Sequence, residues 1–171
     1  MPASVDPTLD AIFQAMARWE QLALPTSSAP EAAGLVAYTY FPTEEDVSAG
    51  PLSLPYTVHS ADSTAYQKVS ISNTPSIETE DVHTFWTGLM FGKDGDPYAA
   101  LSERDARWRA AFHEQFVRHM QLIDPVTGGS LRAQMVLKSA VPLSFDLFGR
   151  TDIGLKFNIE VWARRTLVTS P

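Results

Sequence analysis

Residues 153–163 read IGLKFNIEVWA, and Ile153, Leu155, Phe157, Ile159, Val161 and Ala163 alternate without a break against Gly154, Lys156, Asn158, Glu160 and Trp162. Successive side chains on a strand point to opposite faces, so this pattern predicts a strand with one face in a core and the other turned to solvent or a partner. Residues 102–123 follow a different period. Trp108, Phe112, Phe116, Met120 and Ile123 recur at spacings of four and three, with Arg107, Glu114 and Arg118 on the opposite side, which predicts an amphipathic helix lying on a sheet. Ser102 with Asp105 three residues on marks its start, and Asp124-Pro125 its end. An opening helix is predicted in the same way. Asp6 can cap it, Pro7 suits the first helical position, and Leu9, Ile12, Phe13, Met16 and Trp19 form the apolar stripe, with Pro25 as the limit.

Between the helices, LVAYTYF at 35–41 predicts a strand stopped by Pro42. Residues 42–65 hold Glu44, Glu45, Asp46, Gly50, Pro51 and Pro55 and read as a long irregular loop. Strands are expected at 66–72 and 82–91, joined as a hairpin-like unit by the acidic turn between them. After the second helix, Gly128 and Gly129 lead into a strand at 131–138, residues 141–148 are again extended, and Gly149 to Asp152 turn into the final strand. The order α-β-β-β-α-β-β predicts an α+β domain with a mainly antiparallel sheet packed by two helices. A length of 171 residues fits one domain over 1–171 with the long loop at 42–65.

Composition narrows the chemistry. The absence of cysteine removes disulfides, thiolate metal sites and cysteine nucleophiles together. With 13 basic and 20 acidic residues the formal charge is −7, and no basic tract offers a phosphate-binding surface. No apolar run reaches the roughly 20 residues of a membrane span. The N-terminus has no basic segment followed by an apolar one, so the expectation is a chain folded in the cytoplasm.

The candidate constellations are incomplete. His113-Glu114 and His119 begin like a zinc-protease helix, but that motif needs histidines four apart on one face, and these are six apart. His59 and His83 have no second ligand at metal spacing. Asp94-Gly95-Asp96 lacks the rest of a calcium loop and reads as a turn. No nucleophile elbow or phosphate-cradling glycine loop is present. The acids of 44–46 and of 78–81 read as solvated charges. These readings leave no catalytic residue, no cofactor and no metal. Trp162 stands out instead, because its ring lies on the polar side of the last strand, where the core does not need it. It must be covered by a loop or helix of the chain or by a neighbouring subunit.

Three segments together carry a resemblance: the opening DAIFQAMARW leading to a strand, the long SERDARWRAAFHEQFVRHM after a strand hairpin, and the closing SFDLFGRTDIGLKFNIEVWA. In this layout the chain resembles the tail terminator proteins of long-tailed bacteriophages over nearly its whole length. The resemblance implies a virion protein of the tail or neck, assembled in the host cytoplasm. It implies a homo-oligomer, a hexameric ring that caps the tail tube, ends its polymerisation and joins it to the head-side connector. Its partners would be the tail tube protein and a connector or neck protein, with no membrane. DNA would pass through an acidic lumen without specific binding. The family offers no catalytic residues. Glu44, Glu45, Asp46, Trp162 and Arg164 are the candidate subunit or partner interface. The alternative is a small α+β enzyme or ligand-binding dimer with a pocket near His83, Trp86 and His113.

Overall fold

The computed structural model describes residues 7–23, 34–39, 42–45, 52–71, 76–118, 121–147 and 149–168. Its first helix, α1, spans Leu9–Ala23. Thr8 caps it, accepting from the Ala11 amide through Oγ1 at 3.1 Å and from the Ile12 amide through its carbonyl at 3.0 Å; the expected cap, Asp6, lies outside the described residues. The second helix, α2, spans Tyr98–Arg118. It begins a turn before Ser102 because the Leu101 amide already donates to the Pro97 carbonyl at 3.1 Å, and a proline at the helix entrance loses no hydrogen bond. Asp105 pairs with Arg109 at 2.7 Å instead of closing a capping box.

Six strands form one sheet: β1 (Val36–Ala37), β2 (Tyr56–Ile71), β3 (Ser76–Lys93), β4 (Gln121–Ile123), β5 (Ser130–Leu147) and β6 (Arg150–Val168), in the spatial order β1-β2-β3-β6-β5-β4. Every pairing is antiparallel except the short parallel contact of β1 with β2. The two-helix, mainly antiparallel α+β architecture is the one the periodicities predict.

Several boundaries differ. The strand predicted at 35–41 is reduced to Val36–Ala37, and β3 begins at Ser76, inside the stretch predicted as an acidic turn, because 76–81 pair with β6. The loop predicted at 42–65 is shorter, because β2 already starts at Tyr56 and 56–65 pair with β3. A bulge between Ala61 and Ser63 shifts the register there, which breaks the alternation that would have marked a strand. The extended pieces at 131–138 and 141–148 are one strand, β5, interrupted by a bulge at Leu137/Ser139. The helix predicted to run to Ile123 gives way to β4. A tight turn, with Asp124 N to Gly129 O at 2.8 Å and Gly128 N to Asp124 O at 2.9 Å, folds Gln121–Ile123 back onto β5. Leu122 is therefore buried, and Ile123, expected on the apolar stripe, is 53% exposed.

Both helices lie on one face of the sheet. Phe157 of β6 stacks on Phe112 of α2 with ring centroids 3.8 Å apart, Trp19 of α1 meets Phe112 and Phe116 edge-on, and Phe13 meets Phe85. Leu155, Phe157, Ile159, Val161 and Ala163 are all buried here, as the alternation of the last strand requires.

Among the described residues, the other face is covered only at one end. Leu52, Tyr56, Val58, Met90 and Leu147 form a second, smaller core, with Tyr38, Leu54, Trp86, Leu143 and Phe145 packed against it. The Leu52–Pro55 segment is held there by Arg150, which donates to the Leu52 carbonyl at 3.0 Å and to Asp152 Oδ2 at 2.7 Å. Asp152 is fully buried and accepts from the Tyr56 hydroxyl at 2.7 Å. Burial, with the Asp152 carboxylate beside it, pushes the Tyr56 phenol far above its ordinary pKa. The latter part of the predicted loop thus belongs to the chain's own second core.

Candidate assembly surface

Strand parity divides the chemistry-bearing residues between the two faces. On the helix-covered side, His59 of β2 sits between α1 and the sheet. Its Nε2 meets Glu20 Oε1 at 3.1 Å and its Nδ1 meets the Tyr38 carbonyl at 2.8 Å, while the Thr57 hydroxyl donates to the other Glu20 oxygen. Both members of the His59–Glu20 pair have fully buried side chains. Burial opposes the imidazolium, but the Glu20 carboxylate and the two hydrogen bonds outweigh it and hold the His59 pKa above its ordinary value. With its acceptors satisfied and no opening to solvent, this pair fastens α1 and the Tyr38 segment to β2.

His83 lies on the same face further along β3, with Nδ1 2.9 Å from the Thr64 hydroxyl. Burial lowers its pKa, Asp81 acts against that, and Arg165 adds to it. Trp86, three residues on, belongs to the opposite face, where it packs on the second core and Lys156 Nζ stands 5.1 Å over its ring. His113 is exposed on α2. His83, Trp86 and His113 therefore do not converge on a common pocket. Among the described residues no three His, Cys, Asp or Glu side chains gather as metal ligands, and no helix is long and apolar enough to cross a membrane.

Beyond the second core, the uncovered face presents Trp162 across from Val82 and Gln134, with Glu160 and Arg164 on either side of it along β6. Trp162 is 37% exposed and belongs to neither apolar cluster. Its Nε1 donates to Glu160 Oε2 at 3.3 Å. Around it, Arg164 pairs with Glu80 at 3.0 Å, Arg132 with Glu78 at 3.5 Å and Lys138 with Glu160 at 3.5 Å. Counting Lys156, four bases stand on this face against those three acids, so it is balanced rather than acidic.

The face continues into an open groove of about 1170 Å³ that runs from Trp162, Val136 and Arg132 to β4 and the end of α2, where Ile123 and Arg118 line it. No protein-family model matches this chain, and no curated protein matches it. The reading of the surface therefore rests on its own geometry. Of the residues predicted for an interface, Trp162 and Arg164 stand two apart on one strand and line this groove. Glu44 and Glu45 are exposed on the connector between β1 and β2 and are not among the residues lining the groove. Asp46 lies outside the described residues. Arg118, Arg132, Ile123 and Val136 are groove residues that the sequence reading did not single out. The alternation of Arg132, Gln134 and Val136 against Leu131, Ala133 and Met135 was the available signal for the β5 members, since it places them on the same side as Trp162 once β5 and β6 are paired.

Proposed function

We propose that this chain is a structural subunit that assembles with copies of itself, and that its assembly is the ring ending the tail tube of a long-tailed bacteriophage. The observation that carries the assembly reading is the sheet face that the described residues leave without a second layer beyond the small core, with a partly exposed Trp162 between charged neighbours. Sheets bury at least one face, and a Trp with adjacent arginines on an open face is the composition favoured at the centre of protein interfaces.

The strand edges are poor alternatives for assembly. β2 carries two bulges, at Ala61/Ser63 and Lys68/Ser70, and β5 carries one bulge and Pro142, devices that discourage edge-to-edge pairing. The face is left as the surface for partners. The tail assignment itself rests on the layout of the opening helix, the long helix after the strand hairpin, and the closing strand pair.

In this role the ring caps the tube, stops its growth and meets the head-side connector, with no catalytic step. DNA passes through it, and the net charge of −7 per chain disfavours adhesion to phosphates. Reconstruction of virions carrying an epitope on this chain tests the proposal. A ring of density at the junction of tail and neck is the expected result; label elsewhere in the particle, or none, overturns it.

A further inference from the structure

The geometry around His59 fixes how many protons its contacts hold. The Tyr38 carbonyl, 2.8 Å from Nδ1, has no proton to give, so Nδ1 carries one and donates it. The Thr57 hydroxyl donates to one Glu20 oxygen, and the other stands 3.1 Å from His59 Nε2. One proton fits between Nε2 and that oxygen. Without it, two lone pairs would face each other beside a negative charge, on side chains with no exposure to solvent. Burial opposes the imidazolium, but the Glu20 carboxylate and the hydrogen bonds outweigh it, so the proton rests on the ring. Among the described residues no other charge acts on His59. Phe13 of α1 presents an aromatic ring 6.2 Å away, and Thr87, opposite His59 on β3, is buried and uncharged.

That proton lies where it acts on more than one strand. α1 packs against β1 and β4, the two outer strands of the sheet. Its later turns are tied on two sides, Glu20 to β2 and Arg18, through a 2.8 Å hydrogen bond to the Pro125 carbonyl, to the turn between β4 and β5. The Arg18 bond is exposed, whereas the Glu20–His59 pair is buried and ionic. α2 and β6 meet without α1, through Phe112 on Phe157.

We infer that the Glu20–His59 contact is a pH-sensitive latch worked by one proton: while His59 holds it α1 is shut onto β2, and when it leaves α1 opens ahead of the remaining strands. Loss of the proton leaves the Glu20 carboxylate buried without a counter-charge, which is costly enough to favour the opened helix. Because Arg18 ties α1 to the turn after β4, and Ile123 of β4 lines the groove, the same proton bears on that surface. The latch does not depend on the groove serving assembly. An exposed imidazole releases its proton near pH 6.5 and the latched one at a higher pH. Opening of α1 therefore becomes easier between those two values, about tenfold per pH unit for one proton, and levels off above the higher.

Amide hydrogen exchange of the full chain, corrected for base catalysis, tests the latch together with NMR of the imidazole nitrogens. The amides of α1 should be protected at least tenfold less than those of β6, and their opening should rise about tenfold per pH unit above pH 6.5 before levelling off. Both His59 nitrogens should carry protons at pH 6.5, and Nε2 should lose its proton where the rise levels off. Glu20→Gln puts an amide in place of the carboxylate, so that its NH2 donates to a neutral Nε2 while its oxygen accepts from Thr57. In that variant His59 should titrate below pH 6.5, and the opening of α1 should show no rise above it. A bare Nε2 in the wild-type chain at pH 6.5, equal protection of α1 and β6, or a rise that survives Glu20→Gln would each overturn the latch. If Glu20→Gln does not fold, the two wild-type readouts decide it.

Discussion

The two faces of this sheet are built by the same strands, residue by alternate residue, and they differ in what a side chain there does. On the covered face Phe157 is wedged between neighbouring strands and the ring of Phe112. Further along on the open face, Trp162 lines the groove and donates to Glu160. Moving by one position along β6 exchanges a residue the fold depends on for one the fold can spare. A single strand therefore carries both the core and the surface offered to a partner, and substitutions that respect parity separate the two roles.

The largest expected effect is on the covered face. Phe157→Ala should cost about 3–5 kcal/mol, because a buried ring is lost and Phe112 is left facing a cavity; chemical denaturation measures it, and an unchanged midpoint would break the comparison. Gly154→Ala is next. Gly154 lies where β6 passes so close to the β3 backbone that a Cβ would run into the Leu89 carbonyl, and the expected loss is about 1–3 kcal/mol from overpacking against main chain.

A smaller, pH-dependent effect sharpens the picture of the covered side. His59 has a folded pKa above its unfolded value of about 6.5, so the stability it contributes is fully present below that pH and declines as pH rises through the raised folded pKa. One titrating group changes stability by at most about 1.4 kcal/mol per pH unit. Melts of the wild-type chain above pH 6.5 should show this decline, and His59→Asn should remove the slope. Smallest of all is the effect on the open face: Trp162→Ala should shift stability by no more than about 0.5 kcal/mol while reducing self-association in light scattering. A large loss of stability in that variant would place Trp162 in the core and remove the distinction between the faces.

Legibility from the sequence followed the same division. The last strand and the stripe Trp108, Phe112 and Phe116 were visible because one buried face imposes an uninterrupted period. β2 was not, since YTVHSADSTA mixes small and polar residues on an edge strand whose outer part is exposed on both faces, and its bulge shifts the phase. The end of α2 is not legible because Ile123 continues the helical spacing by coincidence; Met120, on the same predicted stripe, lies outside the described residues. The Asp124–Gly129 turn, with the Asp124 carboxylate accepting from the Val126 amide at 3.0 Å and the Thr127 hydroxyl at 2.6 Å, imposes a hairpin there instead. Of the groove, Trp162 and Arg164 could be flagged from parity alone. Their meeting with Arg118 and Ile123 could not, because it depends on how β4 folds back.

Local pattern determined what is local: two helices, the long strands, the core face of β6 and the misfit of Trp162 on its polar face. These follow from periods of 3.6 and 2 that a buried surface enforces over a few turns or a few residues. Tertiary structure decided everything that joins distant parts of the chain. It closed Leu52 and Tyr56 over Asp152 and Arg150, buried Glu20 against His59, separated His83 from Trp86 by the thickness of the sheet, and brought Trp162 and Arg164 of β6 into one groove with Arg118 and Ile123. Such pairings depend on strand order and register, which are settled by the total burial and hydrogen bonding of the whole sheet, and no short window of sequence contains that sum.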